Sequence, residues 1–237
     1  MPAETEGLGR SAARGVRATL AAQVVTIATQ LLSVVVLARL LGPEDYGLLA
    51  MVVAIIAVGE VIREFGLGNA AIQAPTLTVQ QRSNLFWWNA GLGLACASIL
   101  FFGAPLLADF YDEPRVEQIA QCLSAVFVLG GIASQPRAHL ARNLRFGALN
   151  VTDAGPAVLG LGVAISCALA GLGVWSLVAQ RLTLSAGTLV LAASFDRWRP
   201  GLPRRTEGMR ELLRYGLNMV GAQIISSVGR NADYVGM

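Results

Sequence analysis

The chain has 237 residues, of which 54% are hydrophobic and only 14% charged, with a formal net charge of +3. A soluble domain carries about 25% charged residues, so this composition excludes an ordinary soluble enzyme or binding domain and indicates an integral membrane protein. The three cysteines lie singly in apolar runs and there is one histidine, which argues against a disulfide framework or a metal site. Because the familiar hydrolytic and nucleotide-binding motifs are absent from the sequence, we expect no enzyme activity, no cofactor and no nucleic-acid partner.

Long uncharged runs predict membrane-spanning helices, since a bilayer core about 30 Å thick needs roughly 20 apolar residues. Gly42 and Pro43 end the first run, and the "GLG" at 171–173 divides an apolar stretch that is too long for one span. The predicted fold is therefore all-α, a polytopic membrane helical bundle. Its seven predicted helices begin near residues 20, 46, 85, 118, 152, 174 and 211. The first ends near residue 41, and the third to sixth end near residues 108, 135, 170 and 195.

A short internal repeat suggests how these helices are grouped. "AAQVVT" at 21–26 and "GAQIIS" at 221–226 match in register, and transporters are commonly built from repeated halves. We therefore expect one six-helix lobe plus the first helix of a second, incomplete lobe, in a chain that is part of a longer protein. The predicted domains are a basic N-terminus (1–17), the six-helix lobe (18–196), an Arg-rich linker (197–210) and the first helix of the second lobe (211–237).

The distribution of arginine predicts the orientation of the bundle. All 18 basic residues are arginines, and most of them precede the first helix or fill the second, fourth and sixth loops. The first, third and fifth loops together carry one arginine, Arg115, against six acidic residues. Since cytoplasmic loops collect positive charge, the N-terminus is predicted to be cytoplasmic.

Three arginines remain within the predicted spans, namely Arg39, Arg181 and Arg230. A charge at membrane depth costs about 2.5–3.5 kcal/mol and usually faces a partner or a wet cavity. Snorkelling to the interface and lining a cavity are equally reasonable for Arg39, whereas Arg181 lies about 12 Å in from the nearest turn and favours a cavity. Arg230 and Asp233 share one helical face and could line a cavity or simply neutralise each other. Asp153, at the beginning of the fifth helix, could be hydrated or form an ion pair with a cavity arginine.

Other charged residues receive plainer interpretations. Glu60, Arg63 and Glu64 are predicted to form a solvated end of the second helix. His139 follows Pro136 in a predicted Arg-rich loop, and a solvated side chain is favoured over a catalytic base.

Several short motifs in a fixed order make the chain resemble a known family, the Wzx-type polysaccharide and lipopolysaccharide flippases of the multidrug/oligosaccharidyl-lipid/polysaccharide exporter superfamily. "GLGVW" followed by "WRP" and "RNAD" is the most specific set. The motifs extend through the chain as "ARLLGPEDYGLLA" (38–50), "FGLGNAAIQ" (65–73), "LFWWNAGLGL" (85–94), "FYDEPRV" (110–116), "ARNLRFGAL" (141–149), "GLGVWSLVAQ" (171–180), "RWRPGL" (197–202), "LLRYGL" (212–217) and "GRNADYVG" (229–236).

The resemblance implies two lobes of six helices around a central cavity that opens alternately to each face of the bacterial cytoplasmic membrane. The implied cargo is an oligosaccharide on an undecaprenyl pyrophosphate carrier, and the implied partners include a polysaccharide polymerase and chain-length proteins. Under this reading Arg39, Arg181 and Arg230 make the cavity positive, while Asp153 and Asp233 tune that charge or carry a coupling proton. Two alternatives stay open: a multidrug or organic-cation exporter of the same superfamily, and a non-transporting membrane scaffold of a polysaccharide assembly complex.

Overall fold

The computed structural model describes residues 2–64 and 78–204, with side chains from position 19 onward except those at 62 and 64. Over these ranges the chain is helical and contains no strand, which confirms the predicted all-α class. The helices are α1 (Pro2–Leu40), α2 (Pro43–Glu64), α3 (Val79–Tyr111), α4 (Arg115–Leu123), α5 (Ala125–Arg142), α6 (Phe146–Leu169) and α7 (Val174–Asp196). The predicted helix at 211–237, and with it the second lobe, lies outside the described residues.

Five segments among the described residues are long and apolar enough to cross a membrane, which confirms a membrane helical bundle. They are Thr19–Leu40, Val79–Tyr111, Arg115–Arg142, Phe146–Leu169 and Val174–Asp196. The second predicted span corresponds to α2, a helix of 22 residues with acidic residues in its first turn and Arg63 in its last. It is not among these five, so its crossing of the membrane stays a prediction.

The predicted break between the fifth and sixth spans is confirmed as a glycine turn. Gly171 and Gly173 have φ values of +77° and +55°, a backbone region that side chains rarely adopt. Gly173 also lies against α2, since a Cβ on it would be 3.1 Å from Asp45 Oδ1. The turn folds α7 back along α6, and the two helices approach closely at Gly160, where a Cβ would be 3.2 Å from the Gln180 carbonyl oxygen.

The predicted end of the fourth span before Pro136 is wrong. The segment is divided at Ser124 into α4 and α5, and α5 continues through the buried Pro136 to Arg142. Proline removes one helical hydrogen bond, but membrane bundles tolerate it where neighbouring packing compensates. Arg137 and His139 consequently lie on a helix that packs against α3 and α7, and not in a loop.

The two ends of the bundle differ in charge. The turn end carries the connections at 41–42, 112–114 and 170–173, and there Arg115 forms ion pairs with Glu44 and Glu113. Its Nε atom donates to Glu113 Oε1 at 2.8 Å, and this hydrogen bond lowers the pKa of the partly exposed Glu113 carboxyl. The Arg-rich end, where α2, α5 and α7 finish, is the end predicted to be cytoplasmic.

The apolar core occupies the half of the bundle nearest the turn end. Leu48, Val52 and Ile56 of α2 pack there with residues of α3 and α4, and Val174 and Val178 of α7 complete the cluster. A second cluster joins the end of α1 to α6 and α7 through Leu37, Ala164 and Leu177. Further along α2, α5 and α7, toward the Arg-rich end, polar and charged residues of these helices line a cavity.

Candidate substrate cavity

A cavity of about 530 Å³ lies toward the Arg-rich end, between α2, α5, α6 and α7. Its walls combine charged groups with small residues and hydroxyl groups. The lining residues are Glu60 and Arg63 of α2; Val126, Gly130, Ala133, Ser134, Arg137, Ala138 and Ala141 of α5; Leu149 and Asp153 of α6; and Leu184, Ser185 and Thr188 of α7. A polar cavity in an otherwise apolar bundle is the default candidate for a binding site.

An ion pair across the cavity joins α5 to α6. Arg137 Nη1 donates to Asp153 Oδ1 at 2.6 Å and to the Thr152 hydroxyl at 3.1 Å. The side chains of Arg137 and Asp153 are 33% and 47% exposed, so neither charge is sealed from solvent. Asp153 lies seven residues inside α6, further from the helix start than the sequence predicted, and this depth brings it opposite Arg137.

Arg63 forms part of the cavity wall and is not a solvated helix end, so that prediction is wrong. The residue is only 6% exposed. A Cβ on Gly130 would be 2.9 Å from Arg63 Cζ, which means that the glycine leaves the room in which the guanidinium lies against α5. Glu60, one turn earlier on α2, lines the same cavity and supplies a carboxylate.

Arg181, which is exposed, lines a smaller cavity that adjoins the large one on the side of the packed core. This second space, about 60 Å³, is lined by Arg181 together with residues of α2, α4 and α5, and shares Glu60 and Val126 with the large cavity. On α7, Arg181, Leu184, Ser185 and Thr188 follow at helical spacing and therefore share one face, about 10 Å long. We call the two adjoining spaces the polar cleft.

The structure brings Asp153 and Arg181 to this cleft, whereas the other predicted site residues lie elsewhere or are not described. Arg39 is exposed in the last turn of α1, at the turn end, and is not among the residues that line the cleft. Arg230 and Asp233 lie outside the described residues. The contribution of all five predicted residues to binding stays a prediction.

Sequence reasoning missed Arg63 and Arg137. One was assigned to a solvated helix end and the other to a loop, because arginines near the cytoplasmic face are usually placed there. A signal was available in the stripe of small residues at Gly130, Ala133 and Ser134, which leads at helical spacing to Arg137 and marks one face of α5 as open.

A second charged cluster lies at the Arg-rich end, where Asp196 ends α7. Its carboxylate, 1% exposed, forms an ion pair with Arg82 of α3 and lies 2.6 Å from His139 Nδ1 of α5. The Arg82 guanidinium also stacks over the Trp198 ring, with Cζ 3.9 Å from the ring centroid. Arg82 and Asp196 are nearly sealed from solvent, so the cluster joins three elements and is less accessible than the cleft. His139 therefore contacts Asp196, while its side chain stays 36% exposed.

Comparison with known protein families identifies a match over most of the chain. The family model described as "Polysaccharide biosynthesis protein" matches residues 36–236, which include all the candidate site residues. The chain belongs to the polysaccharide biosynthesis protein family. The family match extends through the polar cleft and into the residues beyond 204.

Proteins similar to this chain occur in several bacteria. The chain is 26% identical to the lipopolysaccharide biosynthesis protein WzxC of Escherichia coli K12, over 92% of this chain and 44% of that protein. It is 25% identical to the teichuronic acid biosynthesis protein TuaB of Bacillus subtilis 168, over 74% of this chain and 37% of the relative. It is also 25% identical to the succinoglycan biosynthesis transport protein ExoT of Rhizobium meliloti 1021, over 86% and 41%. The chain thus spans less than half the length of these relatives, and no solved structure matches it.

Proposed function

We propose that the protein is a non-enzymatic flippase that moves undecaprenyl-pyrophosphate-linked oligosaccharide across the bacterial cytoplasmic membrane, and that residues 18–196 form one lobe of its path. The observation that carries this proposal is the polar cleft, a charged space within a membrane bundle of the polysaccharide biosynthesis family. One relative is named a transport protein, which supports movement of a polysaccharide precursor over its synthesis.

The shape of the bundle supports alternating access. The helices pack around an apolar core near the turn end and separate around the cleft near the Arg-rich end. Such a lobe offers the polar head group a wet path from one face while the other face is closed, and the lipid tail can stay in the bilayer. With the predicted orientation, the open face is cytoplasmic, where a lipid-linked precursor would enter.

The arginines of the cleft are suited to a pyrophosphate. A guanidinium binds phosphate oxygens with forked, charge-assisted hydrogen bonds. Arg137 is neutralised by Asp153 in the structure, so an anionic head group would compete with Asp153 for the Arg137 guanidinium. Arg181, deeper in the cleft, would take over the same anion as it advances toward the turn end.

Further parts of the proposal rest on the family resemblance. Arg39 and Arg230 would add positive charge to the path, and Asp153 and Asp233 would tune that charge or carry a coupling proton. The protein would lie in the inner membrane with a cytoplasmic N-terminus and work beside a polysaccharide polymerase and chain-length proteins.

The decisive test is a flipping assay in proteoliposomes with the complete protein that carries both expected lobes. A fluorescent undecaprenyl-pyrophosphate oligosaccharide is incorporated, and its transfer between leaflets is followed by quenching from outside. We expect transfer that Arg181→Ala reduces at least about tenfold, the cost of losing one charge-assisted contact. The matched control is Arg115→Ala, an exposed arginine at the turn end. Transfer equal to that of empty liposomes, or full transfer by Arg181→Ala, would contradict the proposal.

An organic-cation exporter is the second candidate, and the carboxylates of Glu60 and Asp153 in the cleft favour it. A cationic dye in the same proteoliposomes distinguishes the two cargoes. Protein-dependent dye movement that is lost in Glu60→Gln, without movement of the lipid-linked oligosaccharide, would support the cation exporter. Movement of neither cargo, together with co-purification of polysaccharide enzymes, would support the scaffold alternative.

A further inference from the structure

The first turns of α3 carry four polar or aromatic side chains on one face. Gln80, Ser83, Asn84 and Trp87 follow at spacings of three, one and three residues, which places them in a single stripe of a helix. Ser83 and Asn84 are buried, although they stand near the beginning of a membrane-spanning segment. Burying polar groups there is unfavourable unless each one finds a hydrogen-bonding partner.

The partners of this stripe are main-chain atoms of the segment that follows α7. Trp87 Nε1 donates to the Gly201 carbonyl at 2.9 Å, and the Gly201 N–H donates to Ser83 Oγ at 3.1 Å. The Gln80 amide donates to the Leu202 carbonyl at 2.9 Å. All three contacts involve peptide groups, so they do not depend on the side chains of the linker.

Asn84 binds both main-chain polar groups of one residue, Arg204. Its Nδ2 donates to the Arg204 carbonyl at 2.6 Å, and its Oδ1 accepts from the Arg204 N–H at 3.0 Å. Both contacts to a single residue fix its orientation as well as its distance, in the way that a paired strand would. This two-point contact is the end of the described linker.

The linker has a restricted backbone, and its first residues are held against α3 by Arg82. Pro200 and Pro203 have fixed φ angles and no N–H, so the segment loses little conformational entropy when it is bound. Before them, Asp196 is paired with Arg82, and Trp198 lies under the Arg82 guanidinium. The segment from Asp196 to Arg204 is therefore attached to α3 at both ends and in the middle.

We infer that Gln80, Ser83, Asn84 and Trp87 form a main-chain clamp that holds the linker at 201–204 against α3 and fixes where, and in which direction, the chain leaves the six-helix lobe. The clamp forms hydrogen bonds only with main-chain groups of the linker, so the linker side chains can vary while the position of the linker on α3 is kept. The segment following α7 is then a fixed extension of the lobe and not a free tether.

Hydrogen exchange of the full chain in lipid nanodiscs tests the clamp without any transport assay. Mass spectrometry with fragmentation resolves the Gly201 and Arg204 amides. In the wild-type protein we expect both to exchange at least about tenfold more slowly than in an unstructured peptide of the same sequence. Exchange at the rate of the free peptide in the wild-type protein would overturn the inference, and this measurement needs no variant.

Two substitutions then separate the contacts. Ser83→Ala removes the acceptor of the Gly201 N–H, and Asn84→Ala removes the acceptor of the Arg204 N–H, so each should speed exchange mainly at its own amide. Ser98→Ala is the matched control, because Ser98 lies on α3 but donates to Leu94 of its own helix. The amides in the middle of α3 report whether each variant is folded. Unchanged exchange at both linker amides in folded Ser83→Ala and Asn84→Ala proteins would also overturn the clamp.

Discussion

Gly93 of α3 and Gly131 of α5 lie face to face, and a Cβ built on either would come within 3.3 Å of the Cα of the other. The contact with the opposite main chain is closer still. A Cβ on Gly93 would be 2.5 Å from the Phe127 carbonyl oxygen, and one on Gly131 would be 2.6 Å from that of Asn89. Small residues of this kind let membrane helices approach closely and gain packing energy. The pair holds α5, and with it the cleft arginine Arg137, against α3.

Gly131→Ala should therefore destabilise the bundle. The new methyl group meets backbone, which cannot move aside as a flexible side chain would, so we expect a loss of about 1–3 kcal/mol in the free energy of unfolding. Thermal unfolding in detergent, followed by tryptophan fluorescence, measures it. Gly103→Ala in α3 is the control, since nothing lies within 4 Å of its Cβ position. A melting temperature that is equal in the two variants would show that the close approach of α3 and α5 does not exist.

Arg82→Ala should destabilise the protein more strongly. Removing the guanidinium leaves the Asp196 carboxylate, 1% exposed, without its main partner. The loss of one member of a buried ion pair costs about 3–5 kcal/mol. Denaturant unfolding in mixed micelles measures the change, with the exposed Arg115→Ala as the control, for which a much smaller loss of stability is expected.

The double variant Arg82→Leu, Asp196→Leu removes both charges and tests the reason for this loss. We expect it to be more stable than Arg82→Ala, because no buried charge is left unpaired. If the double variant lost as much stability as the sum of the two single variants, the packing around the side chains would be responsible and not the ion pair.

His139→Ala should have a smaller effect than Arg82→Ala. His139 is partly exposed, and Asp196 keeps its contact with Arg82 when the imidazole is removed. We expect about 1 kcal/mol, the value of one hydrogen bond. The same unfolding measurement applies, and His139→Gln, which can still donate to Asp196, should restore most of the stability. A loss as large as that of Arg82→Ala would mean that the histidine is the main partner of Asp196.

Hydropathy and turn residues predicted much of the fold. The helix from Val174 to Asp196 was placed correctly to within one residue, because the glycine turn at 171–173 and the charge at Asp196 mark both of its ends. The end of α5 was not predicted, since Pro136 reads as a helix breaker in sequence and only tertiary packing shows that it is tolerated. Arg63 and Arg137 were also missed, because only tertiary packing shows that they line a cavity. An arginine near a helix end is assigned to solvent until the opposing helix, here with Gly130, is seen to cover it.

The ion pair between Arg137 and Asp153 should contribute to transport and little to stability. Both side chains are partly exposed, and such pairs contribute about 0–1 kcal/mol to folding. Arg137→Ala should therefore leave the melting temperature nearly unchanged while it reduces flipping of the lipid-linked oligosaccharide at least about tenfold, because the anion loses a forked partner.

Asp153→Asn keeps the shape of the site but no longer neutralises Arg137, so we expect tighter binding of the pyrophosphate head group and slower release. Concentration-dependent flipping rates separate these outcomes: Arg137→Ala should require a higher substrate concentration for half-maximal rate, and Asp153→Asn a lower one. Equal shifts in the same direction would show that the two residues act only as a structural pair.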